Sequence, residues 1–273
     1  LDNYNDYDIN KIKTLLNCKI NRFKIIGNLW YNIIKNIYFF KDYNKLIIYE
    51  MNKQNINYIE FRIKLGSYFN PNNNKKISIE NELKLFYKIK ELNNKDNKDF
   101  KIICQISKFC NKEVVYNYFN KIINLINNNK KYLNLISGFD IVGDEEKGNE
   151  LYYYKNIIIK LKKNMKYNIP FYFHAGEIYS NIKKSLNNIK FCLKYGGNRI
   201  GHGIYSIEDK NLLKQIKDRN ILLEIAPLSN YYLGHIKNNY IYKKLYDYGI
   251  NICINTDDPN KLNDSTLEDN EKF

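Results

Sequence analysis

The stretch FHAGE, Phe173 to Glu177, carries an apolar run onto an imidazole, a small Ala-Gly pair and a carboxylate. A histidine and a glutamate three residues apart, just past the end of a buried strand, can hold a cation and move a proton beside it. Histidine is scarce in this chain, which has only His174, His202 and His235. His202 closes NRIGH as His174 closes PFYFH, Asp257-Asp258 follows NICINT, and Gly143-Asp144-Glu145 follows GFDIV. Each feature alone is commonplace, because a histidine at a strand end is usually structural and Asp-Pro usually marks a turn. Their recurrence at the exits of different apolar runs is informative, since nothing structural requires it.

A divalent cation that activates water needs imidazole nitrogen and carboxylate oxygen from separate rigid elements, with one coordination position left open. His174 and Asp257 meet that need. Glu177, just beyond the strand, is spaced to pass a proton to a substrate, and His202 to orient or deprotonate the water. Gly176 between them would let backbone and ligand approach closely.

The elements that must position these groups are short apolar runs rich in β-branched residues at 58–63, 101–107, 138–142, 170–174, 198–202, 221–226 and 251–256. Helical periodicity lies between them. Leu83, Phe86, Ile89 and Leu92 recur over 79–92, and Ile182, Leu186, Ile189 and Leu193 over 180–195. Such alternation means a parallel sheet covered on both faces, either an open doubly wound sheet or an eightfold barrel one strand short. No glycine-rich phosphate loop follows any strand, and polar groups leave several strand ends, so the reading is a (β/α)8 TIM-type barrel in one domain spanning 1–273.

FHAGE, NRIGHG, LEIAPLSN and INTDDP, in this order, resemble the motifs of the adenosine and AMP deaminase family, metal-dependent barrels that hydrolyse the 6-amino group of a purine. The resemblance runs from about Trp30 to the end, and 29–62 with GFDIVGDEE lean toward the growth-factor-related branch. It implies one zinc ion held by His174 and Asp257, with Glu177 protonating purine N1 and His202 working on the metal-bound water. Asp258 would bond N7 and the Gly143 N–H would reach N3. The catalytic set is then Glu177, His202 and Asp257, and the substrate-binding pair Gly143 and Asp258. The implied substrate is a purine nucleoside, adenosine before AMP. A non-catalytic binding or signalling protein is the reading from another class. His235, in YYLGHIKN, matches no motif and reads as a surface or loop residue.

Composition excludes other classes. The net charge is +15, yet only four of 44 basic residues are Arg (22, 62, 199, 219) and the lysines are spread along every segment. Nucleic-acid surfaces concentrate charge and use the Arg fork, so the excess is read as a bias toward Lys, Asn, Ile and Tyr. The H-x-E and P-C-x-x-C signature of the nucleic-acid base deaminases is also missing. No apolar run reaches membrane-spanning length, which gives a soluble protein, cytoplasmic or secreted. Five cysteines without a CxxC pair signal neither a disulfide framework nor a thiolate metal site, and Cys104, Cys192 and Cys253 read as buried thiols.

The family draws two further ligands from a His-x-His ending its first strand, and no histidine precedes His174. The chain opens on Leu1, 6–17 resembles the family's segment just after that strand, and 264–273 resembles the start of the helix after the last strand. We therefore expect a barrel incomplete at both ends. The coding sequence upstream of Leu1 should carry His-x-His within about 5 to 20 residues, one strand plus a turn. Sequencing the transcript through its start checks this, and a first strand lacking both histidines would favour the non-catalytic alternative.

Overall fold

The computed structural model describes residue 49 and residues 51–70, 72–73, 75–93 and 98–257. Asp258, Cys18, segments 6–17 and 264–273, and most of 29–62 lie outside them. The strands are β1 (Tyr58–Ile63), a two-residue hairpin pair β2 (Phe69–Asn70) and β3 (Lys75–Lys76), β4 (Asp99–Ser107), β5 (Ile136–Val142), β6 (His174–Ala175), β7 (Arg199–His202), β8 (Leu222–Ile225) and β9 (Ile252–Ile254). Among the described residues six of the runs read from the sequence coincide with parallel strands, and the seventh, 170–174, overlaps the short β6 at His174 and carries an isolated bridge at Phe171. Helices α1 (Ile79–Asn93), α2 (Lys112–Asn128), α3 (Lys155–Asn164), α4 (Ile182–Tyr195), α5 (Lys210–Asp218), α6 (Pro227–Tyr232) and α7 (Tyr240–Tyr248) fall between them. None is long and apolar enough to cross a membrane.

Pairing is parallel in chain order, as β1-β4-β5 and β6-β7-β8-β9, and a single bridge from Phe139 to Phe171 joins the two blocks. Among the described residues β1 pairs only with β4, and β9 only with β8. In a flat sheet β1 and β8 would stand about 24 Å apart, five spacings of ~4.8 Å. Instead Arg62 of β1 bonds Glu224 of β8, and Arg199 of β7 bonds Glu60 of β1. The sheet therefore curls until its first and sixth strands meet across an interior, as a barrel does.

Strand parity sorts the side chains. Phe171 and Phe173 stack and pack with Phe119 of α2 and Phe191 of α4, on the helix-covered face. Tyr172 and His174 face the other way, and Tyr172 lies under the Arg199 guanidinium at 3.8 Å. The interior thus holds a chain of charges rather than aliphatic layers. Arg62 Nε donates to Asp140 at 2.7 Å, its Nη2 donates to Glu224, and Glu224 also pairs with Arg199 at 3.1 Å. Burying these charges is tolerable only because each has an opposite neighbour.

The outer shell follows helix rules. Asn111, Asn181 and Asp209 cap α2, α4 and α5 by accepting from Val114, Lys184 and Leu212 N–H groups. Cys104 and Cys192 are buried as expected, but Cys253 is exposed. Among the described residues β9 pairs on one side only and its burial is incomplete, so an apolar run does not guarantee a buried thiol.

Arg62→Met should lower stability by about 3 kcal/mol, the low end for breaking a buried ion pair because Arg62 keeps some solvent contact. Denaturant unfolding of the whole protein reads this out, and an unchanged midpoint would mean that Asp140 and Glu224 are hydrated.

Candidate active site

Gly143 follows β5, His202 ends β7 and Asp257 lies three residues past β9, while His174 is the first residue of the two-residue β6 and Glu177 lies two residues past it. His174 is gripped from three directions. Its Nδ1 meets Asp140 Oδ2 at 2.6 Å, its backbone N–H donates to Asp140 Oδ1 at 3.0 Å, and its carbonyl accepts from Lys108 Nζ at 2.9 Å. Gly201 leaves room for the ring, since a Cβ there would lie 2.8 Å from His174 Nδ1. Burial alone would lower the imidazole pKa, but the Asp140 charge and hydrogen bond, with Asp257 adding to them, raise it above its ordinary value. Burial likewise works against the Asp140 carboxylate, which His174 and Arg62 nonetheless hold below the usual range. With Nδ1 committed to Asp140, Nε2 is the nitrogen His174 offers to the mouth.

His202 stands beside that imidazole and links it to Glu177, and Asp257 is within electrostatic range. The His174 and His202 rings meet edge to face at 5.0 Å, and His202 Nε2 is 3.5 Å from Glu177 Oε1. Asp257 accepts from Ser229 Oγ at 2.6 Å. His202 and Asp257 both adopt left-handed backbone conformations, with φ of 62° and 59°, uncommon outside glycine and concentrated at functional sites. Asn230 Nδ2 lies 3.2 Å from His202 Nδ1 while Asn230 Oδ1 accepts from Tyr242 Oη. With the amide so oriented, His202 Nδ1 is the acceptor and Nε2 carries the proton toward Glu177, which suits an orienting role. Acting as a base at Nε2 requires the Asn230 amide to turn over.

Glu177 rests on a second anchor. The buried Glu145 carboxylate accepts from the N–H groups of Gly176 and Glu177 at 2.9 and 2.8 Å, and from Ser185 and Asn188 of α4. Burial pushes Glu145 up, but the Lys108 charge and these donors bring it below its ordinary value. Packing alone is sufficient to require glycine at position 176. It has φ 71°, and a Cβ there would lie 2.4 Å from Ile189 Cδ1, so contact with α4 requires the glycine.

Sequence patterns assign no role to Asp140, Arg62, Glu224, Asn230 and Ser229, and place Glu145 at a strand exit without showing that it anchors Glu177. The available signal is a charged residue inside an apolar strand, as in GFDIV, YIEFRI and ILLEIA. His235 is in a loop as expected, yet its Nε2 is 3.6 Å from Glu177 Oε1.

Imidazoles and carboxylates at the strand ends of a parallel barrel stand where this architecture carries its functional groups. The family model described as adenosine deaminase matches residues 30–272, and the chain belongs to that family. An adenosine deaminase of Aedes albopictus is 30% identical over 210 residues, 75% of this chain and 38% of that protein. An adenosine deaminase 2 of Dictyostelium discoideum is 31% identical over 156 residues, 55% of this chain and 27% of that protein. The chain thus spans well under half the length of either curated relative. The fold is similar to that of Arabidopsis ADAL complexed with GMP, with TM-score 0.74 at 15% identity over 97% of this chain and 76% of that one. An amidohydrolase of Burkhoderia ambifaria with bound Zn aligns with TM-score 0.60 at 14% identity, over 93% of this chain and 62% of that one.

Replacing Glu145 by Gln tests its anchoring role. A carboxyl whose folded pKa is depressed stabilises the fold above its unfolded value of about 4.5, and that stability is lost as pH falls through the folded value. The wild-type advantage over the Gln variant should therefore be full at pH 7 and shrink in acid, as read by urea unfolding at several pH values. A difference independent of pH would contradict the anchor.

Proposed function

We propose that the protein hydrolyses the 6-amino group of adenosine, giving inosine and ammonia. The observation that carries this reading is the convergence of His174, His202, Glu177 and Asp257 at one mouth, with His174 Nδ1 held by Asp140. Family membership and the adenosine deaminases among its relatives support the substrate class.

The donor set is consistent with a zinc site in part. His174 Nε2 and the Asp257 carboxylate are donors of the right type, and the Asp140 hydrogen bond behind His174 is the usual support for a metal-bound imidazole. A catalytic zinc takes three protein ligands, and no group of three suitable side chains occurs among the described residues, so a further donor is required. When bound, the metal would lower the pKa of a coordinated water from about 15.7 toward about 7.

The chain's own residues would do the rest. His202, fixed by Asn230, orients the water. Glu177, held by Glu145 through its backbone, gives a proton to N1 as oxygen adds to C6, which makes the amino group the leaving group. The backbone N–H of Gly143 is suited to N3, and Asp258, by family resemblance, to N7.

In the whole protein, Glu177→Gln should lower the rate of ammonia release from adenosine by ~10²–10⁴-fold, the range for lost acid–base catalysis, with metal content unchanged. His174→Ala should lose metal and activity together. Equal metal loss in both variants would contradict the roles, and faster turnover of AMP than of adenosine would move the substrate to the nucleotide.

A further inference from the structure

His235 is the one histidine that no motif accounts for, and like His202 it faces Glu177. The two Nε2 atoms lie 3.5 and 3.6 Å from the same oxygen, Glu177 Oε1. Asn230 ties both imidazoles to this arrangement. Its side-chain amide meets His202 Nδ1 at 3.2 Å, and its backbone carbonyl accepts from His235 N–H at 2.8 Å. Tyr205 Oη donates to the His235 carbonyl, which pins the loop between α6 and α7 from the other side. A loop residue whose backbone is held at both ends is positioned rather than incidental. Exposure rises in order along the row, from 4% for the His202 side chain to 11% for Glu177 and 24% for His235. His235 is the member with the most open route to solvent.

We propose that His235 is a positioning residue for Glu177 and the path by which its proton is replaced from solvent. This rests on the deaminase reading above. In that reaction a C–O bond forms at C6 and the C–N bond breaks. The two hydrogens of the water leave on the amino nitrogen as ammonium, so the proton on N1 comes from Glu177. One proton per turnover is then drawn from solvent. The neutral His235 ring takes a proton from bulk water at Nδ1 and passes the one on Nε2 to Glu177 Oε1, and proton exchange with water then returns the ring to its starting tautomer. The groups facing Glu177 are His202 of β7, His235 of the α6–α7 loop and, within electrostatic range, the Tyr242 phenol of α7. Of these groups His235 combines proximity to Glu177 with the most open side chain.

The test uses the whole protein with saturating adenosine. His235→Ala should lower kcat at least roughly 10-fold, less than the ~10²–10⁴-fold of a direct acid–base group, with KM and circular dichroism little changed. Millimolar imidazole in the buffer should restore much of the rate, whereas His235→Gln, which fills the space without carrying a proton, should stay slow. Independently of turnover, the ¹⁵N resonance of His235 Nε2, assigned by its loss in His235→Asn, should move when Glu177→Gln removes the facing carboxylate. Unchanged kcat in His235→Ala, a loss that imidazole does not relieve, or an unmoved resonance would each overturn the proposal. A wild-type protein without activity on any purine nucleoside, but with the resonance shift present, would overturn the functional reading and the relay with it.

Discussion

The structure turns on how the Asp140 carboxylate is divided. One oxygen accepts the His174 backbone N–H and the other accepts from both the His174 ring and Arg62. The first bond replaces a rung of the ladder that would otherwise join β5 to β6. The chain therefore pairs with β5 at Phe171 and with β7 from His174 onward, leaving one bridge between the two blocks of the sheet. The second oxygen fixes which ring nitrogen of His174 is turned away from the interior. One buried side chain thus sets both the path of a strand and the face of its functional group.

That arrangement needs a counter-charge, and β1 supplies it from across the interior. Arg62 neutralises Asp140 and reaches Glu224, while Arg199 completes the alternation between Glu224 and Glu60. An aliphatic interior would have left Asp140 unpaired, at a cost of several kcal/mol. Glu145 and Asn230 repeat the same logic closer to the mouth. Each is a buried polar hub whose hydrogen bonds end on the backbone or ring of a residue that could act on a substrate, so local burial becomes positional precision.

The described parallel strands other than the short β6, and the α1 and α4 helices, are legible in the sequence because their apolar runs and periodicity are local properties of the chain. His174, His202 and Asp257 are legible because each interrupts such a run at its end. The supporting charges are not, because their partners lie 78 residues away for Arg62 to Asp140 and 162 for Arg62 to Glu224, and only the curl of the sheet joins them. His235 is hidden for a related reason, since a loop residue acquires its meaning from the groups it faces. Cys253 shows the opposite error, in which a local apolar pattern suggests burial while the thiol is exposed on an incompletely buried strand.

The central claim is that Asp140 makes His174 a preset donor. Zinc affinity of Asp140→Asn in the whole protein, measured by competition with a chelator of known affinity, tests it most directly. Loss of a hydrogen-bonded carboxylate behind a ligating imidazole should weaken binding by about 10–100-fold, with the fold intact by circular dichroism. Affinity equal to that of the unaltered protein would contradict the claim.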